Sequence, residues 1–128
     1  GEGSIQMCIQ ELSTCLQYAL PIKIVNINNE ALGMVKQWQD MIYNERHSAS
    51  TYQNSLPDFV KIAEAYGHIG FKVTKQEDLA KVFKKAFSLK NRLVFIDVYV
   101  DPSEHVYPML VAPNGSMKDM WIAKDKKA

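Results

Sequence analysis

The chain has 128 residues, 47% of them hydrophobic and 23% charged, with a formal net charge of +1. That length suits one compact domain with a real core, in the proportions of an ordinary globular protein. A near-neutral balance gives no handle for nucleic acid or an anionic membrane, and no apolar run approaches the ~20 residues of a membrane span.

Ile5, Cys8, Ile9, Leu12, Leu16 and Ala19 follow helical spacing, and Pro21 stops the helix they define. Cys8 and Cys15 both fall on it, roughly 10 Å apart at a helical rise, beyond disulfide reach. They read as buried free thiols, which suits a reducing cytoplasm, and the N-terminal residues carry no basic and apolar leader pattern. Residues 22–28 read as a strand buried on both faces, the habit of a parallel sheet. Met34, Val35, Trp38, Met41 and Ile42 then form the apolar face of a second helix, followed by a polar loop over residues 44–56.

Pro57 and Asp58 open a helix with the stripe Phe59, Ile62, Ala63 and Tyr66, and Gly67 is its expected stop. A short strand over residues 69–74 leads to a helix announced by Gln76-Glu-Asp78. There Leu79, Val82, Phe83, Ala86 and Phe87 face inward while Lys81, Lys84 and Lys85 are solvated. Residues 93–100 are the most strand-like segment, apolar nearly throughout. The tail from Pro102 to Ala128 carries Pro108, Pro113 and Gly115 and reads as largely irregular, with a mobile end at residues 124–128. The alternation gives an α/β fold on an open parallel sheet with helices on both faces.

The chemistry concentrates at the start. Gly1-Glu2-Gly3-Ser4 is followed, with 24 residues between Gly3 and Asn28, by Asn28-Asn29 at the end of the apolar strand. Glycines let backbone N–H groups approach phosphate oxygens, and a helix starting near Ser4 points its positive end at the same anion. Glu2 and the asparagine oxygens are hard ligands of the kind Mg²⁺ takes beside substrate phosphates. Asn28 has a second reading as a brace for its turn. Met34, Val35 and Trp38 share one helical face, for which a core stripe is the default. His47, His68 and His105 are isolated in sequence and read as surface or packing residues. Nucleophile-elbow and dinucleotide fingerprints are absent. Open α/β sheets place a strand before a phosphate loop, so a loop standing first reads as the C-terminal part of a longer protein, cut just before the motif.

The pattern resembles the thiamine diphosphate-binding motif, which runs Gly-Asp-Gly, a spacer in the mid-twenties, then Asn-Asn. Beyond it, Gly3-Ser-Ile-Gln-Met7, Ile9-Gln-Glu-Leu-Ser-Thr14, Leu32-Gly-Met-Val-Lys-Gln-Trp-Gln39, Leu56-Pro-Asp-Phe59, Ala63-Glu-Ala-Tyr-Gly67 and Glu104-His-Val-Tyr-Pro-Met109 carry a wider likeness. They resemble the C-terminal thiamine diphosphate-binding region of acetolactate synthase (acetohydroxyacid synthase) catalytic subunits, over nearly the whole of residues 1–128. The wording is closest to the bacterial valine-sensitive form with a separate regulatory small subunit.

The resemblance implies a metal site at Glu2, Asn29 and the Ala31 backbone carbonyl, with Gly1, Gly3, Ser4, Asn29, Gly33 and Met34 against thiamine diphosphate. It implies Met34, Val35 and Trp38 on the substrate side. It further implies Mg²⁺, FAD in the full-length enzyme but not on this region, pyruvate and 2-oxobutyrate as substrates, and a homodimer or higher oligomer. The activating glutamate of the family comes from another domain, so this stretch by itself is expected to be inactive. Two departures stand out. Glu2 replaces Asp and reaches about 1–1.5 Å further, so it is expected to weaken cofactor binding or to bind after a loop shift. Cys8 replaces an Asn and cannot supply its hydrogen bonds. They keep open a second reading, a non-catalytic interaction module. Among enzymes the runners-up are pyruvate oxidase and sulfoacetaldehyde acetyltransferase, and the Trp38 segment argues against both.

Overall fold

The computed structural model describes residues 1–52, 54–110, 115–123 and 126–127. Two compact units emerge, one from Gly1–Ala31 and Tyr52–Asp101, the other from Leu32–Thr51 and Pro102–Ala128.

The first unit contains helices α1 (Glu2–Gln6) and α2 (Glu11–Gln17) and strand β1 (Lys23–Asn28). In the second unit α3 spans Gly33–Ile42; the first then resumes with α4 (Phe59–Ala65), β2 (Ile69–Val73), α5 (Gln76–Ser88) and β3 (Val94–Tyr99). Its sheet runs β1-β3-β2, parallel throughout, with Asn26 opposite Asp97 and Phe71 opposite Ile96. Side chains of the central strand β3 alternate between two cores, as a pleated strand requires. Leu93 and Phe95 pack with Leu12, Phe59 and Ala63 from α2 and α4. Val94, Ile96 and Val98 pack with Val73 and Ala86, covered by Leu79 and Val82 of α5. Helices therefore cover both faces, as the alternation predicts.

Local chemistry accounts for several boundaries. Asp58 caps α4, its carboxylate accepting from the Lys61 N–H at 3.1 Å. Gly67 ends the same helix at φ +81°, a conformation that favours glycine. At Gly70 the helix and strand approach so closely that a Cβ would lie 2.6 Å from Val60 Cγ1 and 3.0 Å from its backbone. Gly70→Ala should therefore destabilise the first unit by about 1–3 kcal/mol, the usual range for overpacking. Urea unfolding checks this, and an unchanged midpoint would contradict it.

Other expectations need correcting. The first helix is broken: from Met7 to Ser13 the backbone bonds run mostly from i to i−3, tighter than an α-helix. That overwinding brings Ile5, Ile9, Leu12 and Cys15 to the core and turns Leu16 and Ala19 out. The α-helix ends at Gln17, four residues before Pro21. Both cysteines are free, but Cys8 is exposed rather than buried. Strand β1 is buried on one face only: Ile24, Asn26 and Asn28 turn inward, whereas Val25 and Ile27 are exposed, and the α5-side core holds no β1 residue. Phe87 is also exposed, stacked on Phe83 at 6.0 Å, and Lys85 lies 5.0 Å over the Phe71 ring.

In the second unit the tail carries short regular pieces among irregular stretches such as residues 102–108. Strands β4 (Met109–Leu110), β5 (Met120–Ala123) and β6 (Lys126–Lys127) form an antiparallel sheet, with a 3-10 turn at Met117–Asp119. Ser116 and Asp119 close a reciprocal capping box on that turn. Two-residue strands leave too few alternations for a period of two to register in sequence. Of the expected mobile end, residues 124, 125 and 128 lie outside the described residues.

Candidate functional site

The C-terminal end of β1 and the start of α1 come together in the first unit. Glu2 is 1% exposed, and its Oε1 accepts from the Ala31 N–H at 2.8 Å. The Asn29 Oδ1 accepts from the same N–H at 3.3 Å. Two hard oxygens from residues 27 apart thus converge on one amide. The other carboxylate oxygen, Glu2 Oε2, is buried and has no hydrogen-bond partner among the described residues. An unpaired carboxylate oxygen out of water is costly, and an oxygen-seeking cation relieves that cost. Glu2, Asn29 and the Ala31 backbone therefore fit a divalent cation by the chemistry of their donors. Groups of three or more His, Cys, Asp and Glu with metal geometry are absent among the described residues. That is compatible with a site built from one carboxylate, one amide and a backbone carbonyl.

Of the remaining expected residues, Gly1, Gly3 and Ser4 occupy the first turn of α1, where Gly1 accepts from the Ile5 N–H at 3.1 Å. A Cβ on Gly1 would lie 3.6 Å from the Ile27 carbonyl oxygen, an ordinary contact, so packing does not demand glycine there. Asn28 is fully buried and serves the brace reading. Its Oδ1 accepts from the Glu30 N–H at 3.1 Å, and Glu30 stands at φ +56°.

Asp97 of β3 completes this region, and sequence reasoning missed it. Its carboxylate is 2% exposed and accepts from Asn26 Nδ2 at 2.7 Å and from Asn28 Nδ2 at 3.3 Å. Burial pushes its pKa up, while hydrogen bonds from Asn26 and Asn28 and the Lys72 charge pull the other way. The available signal was one acid inside an otherwise apolar strand.

In the second unit, α3 turns Gln37 inward rather than its apolar stripe. The Gln37 side-chain amide donates to the Val106 carbonyl at 2.9 Å and accepts from the Val106 N–H at 3.0 Å, holding both backbone polar groups of that residue. Met34 and Val35 are consequently exposed, at 52% and 45%, and Gly33 and Trp38 are half-buried. Val35 and Trp38 line a cleft of about 480 Å³ with Gln39, Tyr43, Arg46 and Ser48; Met34 is not in its lining. On the same helix, Asp40 gathers two of the three histidines that look isolated in sequence. It binds Lys36 at 2.6 Å, His105 at 2.7 Å and His47. His68 is the packing residue expected, buried with its Nε2 2.8 Å from the Leu12 carbonyl oxygen.

Burial alone would raise the Asp40 pKa, but hydrogen bonds from His47 and Lys36 and the charges of Lys36 and His105 outweigh it and hold it at about 2. A depressed folded-state value adds stability that is present above the unfolded value near 4 and lost as pH falls through 2. The expected contribution is on the order of 1–2 kcal/mol after solvent screening. Both tryptophans, Trp38 and Trp121, belong to the second unit, so their fluorescence reports it. Unfolding followed between pH 4 and pH 2 should show this slope in the wild type and lack it in Asp40→Asn. Equal slopes would contradict the assignment.

A parallel sheet with helices on both faces, and buried oxygen acceptors at the ends of its strands, has the architecture of α/β cofactor-binding domains. The profile of the family described as "Thiamine pyrophosphate enzyme, C-terminal TPP binding domain" matches residues 1–98, and the chain belongs to that family. It is 57% identical to the acetolactate synthase isozyme 3 large subunit of Escherichia coli, over 99% of this chain and 22% of that protein. It is 56% identical to the acetolactate synthase large subunit of Haemophilus influenzae, with the same coverages. The chain thus spans about a fifth of the length of these relatives. Among solved structures, the thiamine diphosphate-dependent 4-hydroxybenzoylformate decarboxylase of Rhodococcus jostii superposes with a TM-score of 0.66 at 30% identity. The match covers 79% of this chain and 19% of that one.

Proposed function

We propose that this chain is the cofactor-anchoring region of an acetolactate synthase. In that reaction pyruvate is decarboxylated and condensed with a second 2-oxo acid, pyruvate or 2-oxobutyrate, on the way to branched-chain amino acids. The observation that carries the reading is the buried, unpartnered Glu2 Oε2 beside Asn29 in a chain of this family. Glu2, Asn29 and the Ala31 carbonyl hold Mg²⁺. Gly1, Gly3 and Ser4 bind the diphosphate, and Gly33 and Met34 lie along the cofactor. When bound, thiamine diphosphate supplies the carbanion chemistry, and this chain supplies placement and electrostatics. Val35 and Trp38 give the second substrate an apolar wall, with Met34 next to them on the helix.

The identity with large subunits supports, by analogy, a homodimer or higher oligomer, a regulatory small subunit conferring valine sensitivity, and FAD bound outside this region. No helix among the described residues is long and apolar enough to cross a membrane. A cytoplasmic location goes with the biosynthetic role.

In this family the activating glutamate comes from another domain, so pyruvate incubated with residues 1–128 alone and Mg²⁺–thiamine diphosphate should yield no acetolactate by mass spectrometry. Acetolactate from the isolated chain would contradict this. Titration calorimetry of thiamine diphosphate with Mg²⁺ separates the cofactor reading from a non-catalytic module. Heat of binding from the wild type or from Glu2→Asp supports the former, and none from either supports the latter.

A further inference from the structure

We propose that Asp97 is the positioning residue of the metal site: it fixes the orientation of the Asn28 amide, and through it the turn that presents Asn29 and Ala31 beside Glu2. The inference rests on the metal reading above and adds a residue to it. Asp97 lies on β3, directly opposite Asn26 in the parallel register, and Asn28 is two residues further along the same face of β1. A carboxylate only accepts hydrogen bonds, whereas an amide has one accepting and one donating end. Placed against Asp97, Asn28 must turn Nδ2 toward it, and both carboxylate oxygens accept that group at 3.3 Å.

The Oδ1 of Asn28 is then forced to the opposite side, where it takes the Glu30 N–H at 3.1 Å. Glu30 in turn accepts from the Tyr52 N–H at 3.0 Å and is held at φ +56°. That conformation sets the direction of the Ala31 N–H, on which Glu2 Oε1 and Asn29 Oδ1 converge at 2.8 and 3.3 Å. Asp97 therefore acts through Asn28 and does not touch the ion. Its bonding also decides which of the two asparagines is left to face a ligand. Asn28 has both ends of its amide engaged and no exposure, whereas Asn29 is half-buried.

Asp97→Asn keeps the shape but offers Asn28 both a donor and an acceptor, so either amide orientation satisfies it. Asn26→Ala removes the 2.7 Å bond to Asp97 and leaves the link to Asn28 intact. Mn²⁺ in place of Mg²⁺, with thiamine diphosphate present, can be counted by electron paramagnetic resonance, with thermal unfolding recorded on the same samples. Asp97→Asn should weaken Mn²⁺ binding roughly 10–100-fold, the scale of lost outer-sphere support. Asn26→Ala should lower thermal stability and leave the Mn²⁺ affinity at the wild-type value. Equal losses in the two variants, or none in Asp97→Asn, would overturn the assignment. No Mn²⁺ binding by the wild type would instead overturn the metal reading beneath it.

A measurement on the ¹⁵N-labelled wild type needs no variant. On adding Mg²⁺ with thiamine diphosphate, the Asn29 side-chain amide and the Ala31 backbone amide should shift while the Asn28 side-chain amide stays in place. A dominant shift at Asn28 would make it a ligand and contradict the proposal.

Discussion

Phe59→Ala should cost about 3–5 kcal/mol of stability, the range for removing a fully buried aromatic ring. Phe59 begins α4 at 1% exposure and stacks on Phe95 of β3, with ring centroids 6.2 Å apart and planes 11° from parallel. Leu12, Ala63 and Leu93 close round the pair. Domains of this size have only ~5–15 kcal/mol in hand, so the variant sits near the edge of folding at 25 °C. Phe87→Ala is the control, because that ring is 52% exposed and its loss should cost less than about 1 kcal/mol. Urea unfolding followed by circular dichroism gives both values. Similar losses in the two variants would mean that the α4–β3 contact does not organise the core.

Glu2→Gln should separate binding from folding. The amide oxygen of Gln can still accept from the Ala31 N–H, so the turn keeps its anchor, and stability should stay within about 1 kcal/mol of the wild type. What is lost is the negative charge and the unpartnered oxygen Oε2, so with the proposed metal role Mg²⁺ affinity should fall by roughly two orders of magnitude or more. Competition against a fluorescent Mg²⁺ chelator, with thiamine diphosphate present, measures the loss. The structure also clarifies the longer acid. With Glu at position 2 the carboxylate spans the gap to Ala31 at 2.8 Å. A shorter Asp on the same backbone would sit about 1–1.5 Å back from that amide.

Much of the fold was legible where the signal is local. Asp58 as a cap, Gly67 as a stop and the stripe of α5 each follow from one or two turns of chain. The break between α1 and α2 was not legible, because Ile5, Ile9, Leu12 and Leu16 keep α-helical spacing, and only Ile9, Leu12 and Cys15, three apart, carry the tighter one. The open face of β1 depends on which helices reach it, information held in α5 some 50 residues away. The meeting of Glu2, Asn29 and Ala31, which the structure shows, was expected from spacing for the first two and from resemblance for Ala31. Asp97 was not, since a single acid in an apolar strand acquires meaning only when the register sets it against Asn26 and Asn28. The Asp40 cluster was hidden for the same reason, its histidines standing 58 residues apart in the chain.

The anchor formed by Glu2, Asn29 and Ala31 is best tested by titrating thiamine diphosphate into the wild-type chain in a calorimeter, first with Mg²⁺ and then with Mg²⁺ chelated by EDTA. A metal-bridged diphosphate gives saturable heat in the first titration and none in the second. Equal heats with and without the metal, or no heat in either, would contradict it.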